Sequence, residues 1–115
     1  MSAVKARMLM ERRIVRATVK DLLDAGYLVQ ASHERGYDDV HKPSYSLLEI
    51  MRNLMVCDAE WLMVYDPRQL TKRSTKASAA VTLVYGNGWD VVSDYYMSLE
   101  PALRKSIALA ERLGG

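Results

Sequence analysis

Acidic and histidine side chains in this sequence form two groups that resemble sets of metal ligands. The first group spans nine residues of the chain and comprises His33, Asp38, Asp39 and His41. The second flanks two predicted strands and comprises Asp58, Glu60, Asp90 and Asp94. Imidazole nitrogens and carboxylate oxygens bind ions such as Zn²⁺ and Mg²⁺. Because neither group has the spacing of an HExxH helix or a cysteine pair, we expect a solvated loop and a solubilised sheet face, with no metal and no other cofactor.

Nucleophilic catalysis has little support in the sequence. Cys57 is the single cysteine, its neighbour is Asp58 rather than a base, and both histidines fall in a predicted loop. A catalytic nucleophile needs a base and an orienting group held by rigid neighbours. Because Cys57 lies in an apolar run predicted as helical, we interpret it as a buried structural cysteine. Gly86-Asn87-Gly88 marks a turn and is not a phosphate-binding loop. The sequence therefore predicts a protein that is not an enzyme.

Positive charge is concentrated in two segments, although the formal net charge is only +2. The candidate nucleic-acid contacts in these segments are Arg12, Arg13, Arg16, Lys20, Lys72, Arg73 and Lys76. Arg12, Arg16 and Lys20 recur every four residues and therefore share one face of a helix. Such clusters bind phosphates, but a solvated helix face and a polar loop have the same composition. No helix-turn-helix, zinc-finger or RNA-binding signature decides between these interpretations.

Three helices are predicted from periodicity and capping residues. Val15, Val19 and Leu22 recur at helical spacing, which predicts a first helix over 8–25 with Gly26 as its left-handed cap. Ser46, with Glu49 three residues later, forms a capping-box pattern ahead of a broadly apolar second helix that we expect to be buried. Ser98 is the predicted N-cap of the last helix, because Glu100 and Pro101 suit a first turn.

Strands are predicted at 27–30 and 61–65, and the second is apolar at every position, which suits a strand covered on both faces. Asp66-Pro67 should end that strand. The length of 115 residues predicts one domain spanning 1–115, with residues 1–8 as a disordered extension.

An antiparallel hairpin over 81–96 is the sharpest structural prediction. A three-residue loop at Gly86-Asn87-Gly88 pairs Tyr85 with Trp89 and separates apolar from polar residues better than a two-residue turn does. The inner face then holds Ala79, Val81, Leu83, Tyr85, Trp89, Val91 and Tyr95. The outer face mixes aliphatic and aromatic groups with fixed charges, as contact surfaces do, although a covering helix would explain the same mixture. Its candidate protein-interface residues are Val84, Asp90, Val92, Asp94 and Tyr96.

The hairpin segment LVYGNGWDVVSDY, followed by Ser98-Leu99-Glu100-Pro101, resembles a group of small bacteriophage- and prophage-encoded proteins. The likeness extends to Asp24-Ala25-Gly26-Tyr27 and to an acidic step before Trp61, and it covers most of the chain. Members of that group often carry one more residue in the turn, as Gly-Asn-Asp-Gly, and a shorter, less basic connection at 68–77. The resemblance implies a phage context but no established activity.

Together these patterns predict an α+β fold, with an antiparallel sheet of three or four strands in the order α-β-α-β-β-β-α. The expected function is that of a non-enzymatic phage or prophage accessory protein that binds another protein or itself, because an open sheet leaves edge strands to be paired. The alternatives are a nucleic-acid-binding accessory protein and a metal-dependent enzyme built on the carboxylates. The lone cysteine, the lack of a membrane-length apolar run and an N-terminus unlike a signal peptide predict the cytoplasm of a bacterial host.

Overall fold

Residues 2–33, 41–71 and 75–115 are described in a computed structural model of the protein. Their elements, in chain order, are α1 (Ala3–Asp24), β1 (Leu28–Ser32), α2 (Leu47–Arg52), β2 (Ala59–Tyr65), β3 (Ala79–Val84), β4 (Val92–Tyr95) and α3 (Arg104–Gly114), with short 3₁₀ helices at Gly88–Asp90 and Met97–Leu99. The strands form one antiparallel sheet in the order β1-β2-β3-β4. The predicted α+β fold and its element order are therefore confirmed.

The first helix forms around the predicted apolar stripe, since Val15, Val19 and Leu22 are fully buried. It begins at Ala3, where the Ser2 side chain accepts a hydrogen bond from the backbone N–H of Lys5. Residues 3–8 are therefore helical, and their prediction as a disordered extension is wrong. The helix ends as expected, because Gly26 adopts a φ of +95° that L-residues rarely take.

The sheet has one buried face and one partly exposed face. In β2, Leu62 and Val64 are fully buried. They belong to a core cluster that includes the buried apolar residues of α1 and α2, and partly buried residues of α3 pack against it. The alternate positions Trp61, Met63 and Tyr65 are only partly buried. On this second face, Gln30 and Ser32 of β1 pair with Met63 and Trp61 and are buried. The prediction that β2 is covered on both faces therefore holds only in part.

The hairpin forms, but its predicted register is wrong. Val81 pairs with Tyr95, while Leu83 pairs with Val92 across an irregularity in the ladder. Residues Gly88–Asp90 form a 3₁₀ helix, so the connection is longer than three residues and Tyr85 does not lie opposite Trp89. Trp89 is 45% exposed instead of lying in the core. Its ring lies against the backbone of Gly114, where an added Cβ atom would clash with the indole.

The start of the last helix also differs from the prediction. Ser98 lies in the 3₁₀ helix Met97–Leu99, and α3 begins only at Arg104. Its inward face is nevertheless confirmed, since Leu99 and Leu103 are almost fully buried and Ile107 packs against the core.

The second helix is shorter and more exposed than its apolar composition suggests. Ile50 and Met51 are buried, but Leu48 is 65% exposed. Ser46 caps the helix as predicted by accepting from the backbone N–H of Glu49 at 3.2 Å. The reciprocal bond of the capping box is replaced, because the backbone N–H of Ser46 donates to the side chain of Ser44.

Both edges of the sheet are partly occupied. At the β1 edge, Val29 and Ser44 exchange two backbone hydrogen bonds of 3.1 and 2.9 Å. At the β4 edge, the backbone N–H of Tyr95 donates to the carboxylate of Asp94 at 2.9 Å. A further strand therefore meets few free backbone groups at these positions. Among the described helices, none combines the length and the apolar character needed to cross a membrane.

Candidate functional site

A buried carboxylate, that of Glu60, organises the densest polar network in the described structure. The side chain is fully buried and points to the core face of β2, since Glu60 pairs with the buried Leu83. Its Oε1 accepts from the backbone N–H of Met55 and from the Tyr85 hydroxyl, both at 2.7 Å. Its Oε2 accepts from the backbone N–H groups of Val56 and Cys57 at 2.9 and 3.2 Å. The protein thus replaces the hydration shell of this anion with its own donors.

The turn at 53–58 wraps around this carboxylate. Met55 has a φ of +64°, the one positive φ of a non-glycine residue in the described ranges. That conformation turns three successive backbone N–H groups towards one anion, and the bonds to Glu60 offset its strain. The turn replaces the predicted helical path, so Cys57 is exposed and its interpretation as a buried cysteine is wrong.

His33 extends the network to the end of β1. Its Nε2 lies 3.2 Å from Glu60 Oε2 and 2.7 Å from the carbonyl oxygen of Asn53. Because both partners are acceptors, Nε2 carries the hydrogen. The ring of His41 meets that of His33 edge-on, with 5.3 Å between centroids. Asp38 and Asp39, the other members of this predicted group, lie outside the described residues.

Tyr85 donates its hydroxyl hydrogen to Glu60, and its pKa rises well above the ordinary value of 10.0 because burial and the adjacent carboxylate both disfavour the phenolate. The raised pKa means that the stability contributed by this tyrosine is fully present below pH 10 and is lost as the pH rises further.

We therefore expect the free energy of unfolding to fall more steeply between about pH 10 and pH 12 in the natural chain than in Tyr85→Phe. Denaturant titrations across this range measure both slopes. Parallel curves for the two proteins would contradict the assignment of Tyr85 as the titrating group.

A second buried carboxylate joins α1 to the hairpin. Glu11 is fully buried, and its Oε2 accepts from the backbone N–H groups of Gly86 and Gly88 at 2.7 and 3.3 Å. Its Oε1 accepts from the Nε of Arg7 at 3.3 Å. The Gly86-Asn87-Gly88 segment is therefore held open around an acceptor that comes from another element.

A third carboxylate, that of Asp21, joins α1 to α3. Asp21 Oδ2 accepts from the backbone N–H of Ser106 at 2.8 Å. This amide lies in the first turn of α3, where N–H groups have no partner within the helix. Asp21 thus caps α3 from a different helix, where the sequence analysis expected Ser98 to do so.

The sequence patterns do not predict that these three carboxylates hold distant segments together. For Glu11 and Glu60, however, the sequence places an acidic residue at an inward-facing position. Glu11 lies four residues before Val15 in the buried stripe of α1, and Glu60 alternates with the inward-facing Leu62. An acidic residue at an inward position must find donors, because burying an unpaired charge is very costly.

The four carboxylates considered as metal ligands in the sequence, those of Asp58, Glu60, Asp90 and Asp94, do not converge, and Glu60 does not lie on an exposed sheet face as expected. Glu60 faces the core, whereas Asp94 pairs with Thr82, whose side chain lies on the opposite face of the sheet. The side chains of Asp58 and Asp90 are exposed. Across the described ranges, no three His, Cys, Asp or Glu side chains are placed to hold one metal ion.

The basic residues of α1 are arranged as predicted. Arg12, Arg13 and Arg16 are exposed, and no described residue forms an ion pair with them. Lys20 is also exposed but lies 2.9 Å from the carboxylate of Asp24, which offsets its charge.

The second basic segment is only partly described. Lys76 is exposed, whereas Lys72 and Arg73 lie outside the described residues. The nearby Arg68 guanidinium donates to both carboxylate oxygens of Asp66 at 3.0 Å, and this pairing lowers the pKa of Asp66. Asp66 ends β2 as predicted, and its partner leaves Arg68 with little uncompensated charge.

The outer face of the sheet carries most of the candidate interface. Residues paired across neighbouring strands point to the same side of a sheet. The outer face is therefore defined by three rows of paired residues, which are Val84 with Ala59, Asp94 with Thr82 and Trp61, and Met63 with Ala80. Tyr96 continues the last row through its backbone bond to Ala80.

Two of the predicted interface residues lie elsewhere. Val92 pairs with the inward-facing Leu83 and packs against the core, so its placement on the outer face is wrong. Asp90 is exposed in the 3₁₀ helix of the hairpin connection rather than on a strand. The outer face therefore gains Trp61 and Met63 from β2 and loses Val92.

Comparisons with protein-family models, with curated proteins and with solved structures find no match for this chain.

Proposed function

We propose that the chain is a non-enzymatic phage or prophage accessory protein that acts by binding another protein through the outer face of its sheet. The observation that carries this proposal is the partly exposed apolar row on that face. Tyr96 is 57% exposed, the adjacent Met97 is 76% exposed, and Trp61 and Met63 are only partly buried. Aromatic residues and methionine are enriched at protein interfaces. The phage context rests on the sequence resemblance.

The chemistry of the buried carboxylates supports a binding role over a catalytic one. Glu60 already accepts hydrogen bonds on both oxygens from backbone and side-chain donors, and Glu11 does the same. A general base needs an accessible lone pair directed at substrate. Their geometry instead fixes the turn at 53–58 and the hairpin to the rest of the fold.

The partly occupied edges favour contact through the outer face of the sheet rather than strand addition. Ser44 pairs with Val29 at one edge, and Asp94 accepts from Tyr95 at the other. The edges therefore offer a partner few free backbone groups, whereas the outer face offers it apolar surface. The same holds when the partner is a second copy of the chain.

We expect Tyr96→Ser to weaken partner binding about tenfold, because an exposed aromatic anchor is typical of interface hot spots. The partner is first captured in bacterial cells by a photo-crosslinker placed at Thr82, and affinity is then measured with the purified pair. Tyr45→Ser is the matched control, since Tyr45 is equally exposed and lies in the segment that precedes α2.

Equal affinities for the two variants would contradict a role for the outer face. Self-association is tested in the same material by light scattering. A chain that stays monomeric and yields no crosslink at Thr82 would contradict the proposal as a whole.

A second candidate function, nucleic-acid binding, is supported by Arg12, Arg13 and Arg16, which are exposed and form no ion pair with any described residue. An affinity for duplex DNA that falls steeply with added salt, with a slope reduced in Arg16→Ala, would support it.

A further inference from the structure

An apolar groove of about 710 Å³ lies between the first turns of α1 and the turn that follows α2. Its lining residues are Lys5, Met8, Leu9, Arg12, Leu54 and Met55. Leu9 is 54% exposed, and Met8 and Val4 on the same part of α1 are also exposed. Leu54, on the opposite wall, belongs to the core. The apolar surface of this groove therefore continues from the core into solvent, as it does at docking sites.

The charged residues of the groove have one sign. Lys5 and Arg12 are both exposed, and no described residue forms an ion pair with either. The one carboxylate in these turns of α1, Glu11, is buried and bound to Arg7, Gly86 and Gly88. The groove thus combines an apolar floor with an uncompensated positive rim, and the complementary ligand carries apolar and negative groups together.

A second copy of the chain does not supply that combination. Two copies that met through this groove would bring Lys5 and Arg12 of each close together, and like charges repel. The other amphipathic helix, α3, carries Arg104, Lys105 and Arg112 against Glu111 alone. Its charge is therefore also of the wrong sign for a positive rim.

We propose that this groove binds an amphipathic helical segment of another protein, with carboxylates beside its apolar stripe. Lys5 and Arg12 are separated by about 10 Å along α1, or two helical turns. A partner helix that lies along α1 places its leucine-like residues against Leu9 and Leu54 and a carboxylate near each cation. This surface lies on the helical side of the fold, so the inference is independent of the contact proposed for the outer sheet face.

The test uses the full chain and a synthetic amphipathic helix of about four turns, with leucines on one face and glutamates beside them. A second peptide has lysine in place of each glutamate. We expect the acidic peptide to bind and to perturb the NMR signals of Leu9, Leu54 and Met55, and the basic peptide to bind at least tenfold more weakly.

Two pairs of variants distinguish peptide binding in this groove from non-specific attraction to positive surface charge. Arg12→Glu should weaken the acidic peptide about tenfold, whereas Arg13→Glu, the same change at the next exposed residue, should have little effect because Arg13 does not line the groove. Leu9→Gln should weaken binding, and Leu48→Gln on α2 is its matched control. Tyr96→Ser should leave peptide binding unchanged.

Equal binding of the acidic and basic peptides, or NMR changes confined to residues outside the groove, would overturn the proposal. Equal effects of Arg12→Glu and Arg13→Glu would also overturn it, since the peptide would then be attracted by the overall positive charge of α1 and not by the groove. A duplex DNA that binds at Arg12 while the acidic peptide does not would overturn it in favour of nucleic-acid binding.

Discussion

Glu60→Gln should destabilise the protein by about 3 kcal/mol, although it changes only one atom of the side chain. The carboxylate accepts from the backbone N–H groups of Met55, Val56 and Cys57 and from the Tyr85 hydroxyl. A glutamine keeps one acceptor oxygen and directs an NH₂ group at donors that the carboxylate accepts from. The measurement is the free energy of unfolding from urea titrations, with Glu111→Gln on the exposed face of α3 as the matched control.

The network also predicts how this effect combines with Tyr85→Phe. Removing the hydroxyl alone takes one donor from Glu60 and should cost about 1 kcal/mol. Because the two side chains share one hydrogen bond, the double variant should cost less than the sum of the two single changes. Strict additivity, or a Glu60→Gln cost no larger than that of Glu111→Gln, would show that the carboxylate does not hold the 53–58 turn.

Local periodicity was sufficient to predict the element order and the inward face of α1. The stripe of Val15, Val19 and Leu22 repeats at helical spacing, and all three residues are buried. The alternation of Val81 and Leu83 likewise predicts the buried face of β3. These patterns can be read from the sequence because each element is amphipathic over a few neighbouring residues.

The hairpin connection could not be predicted in the same way, because a residue distant in sequence shapes it. The pattern that indicates a three-residue loop involves the side chains of the two strands only. In the structure, Glu11 lies 75 residues before Gly86 and binds its backbone N–H as well as that of Gly88. An acceptor supplied by α1 thus stabilises a longer connection, in which Val91 is buried as predicted and Trp89 is exposed.

The start of α3 shows the same limit. Ser98 has the residue type and spacing of an N-cap, and Pro101 suits a first turn. The first turn of α3 is capped by Asp21 instead, through the backbone N–H of Ser106. The candidate binding groove has a similar origin, because Leu9 and Leu54 are brought together by packing and share no local pattern.

Glu11→Gln should destabilise the protein by about 2 kcal/mol, less than Glu60→Gln, and its effect should concentrate in the hairpin. Two backbone N–H groups, those of Gly86 and Gly88, lose their anionic acceptor. The third partner, Arg7, is 38% exposed in its side chain and is therefore solvated by water when the pairing weakens. Urea titration measures the loss of stability, with Glu100→Gln as an exposed control.

Hydrogen exchange identifies where the stability lost in Glu11→Gln resides. The amides of Gly86 and Gly88 should exchange faster in this variant than in the natural chain, while the amide of Ser106, held by Asp21, should keep its protection relative to global unfolding. Faster exchange at Ser106 together with unchanged exchange at Gly86 would instead place the effect in the packing of α1. The two carboxylates of α1 would then differ in role. Asp21 would hold a distant segment by binding a backbone N–H group, whereas Glu11 would act through the packing of α1.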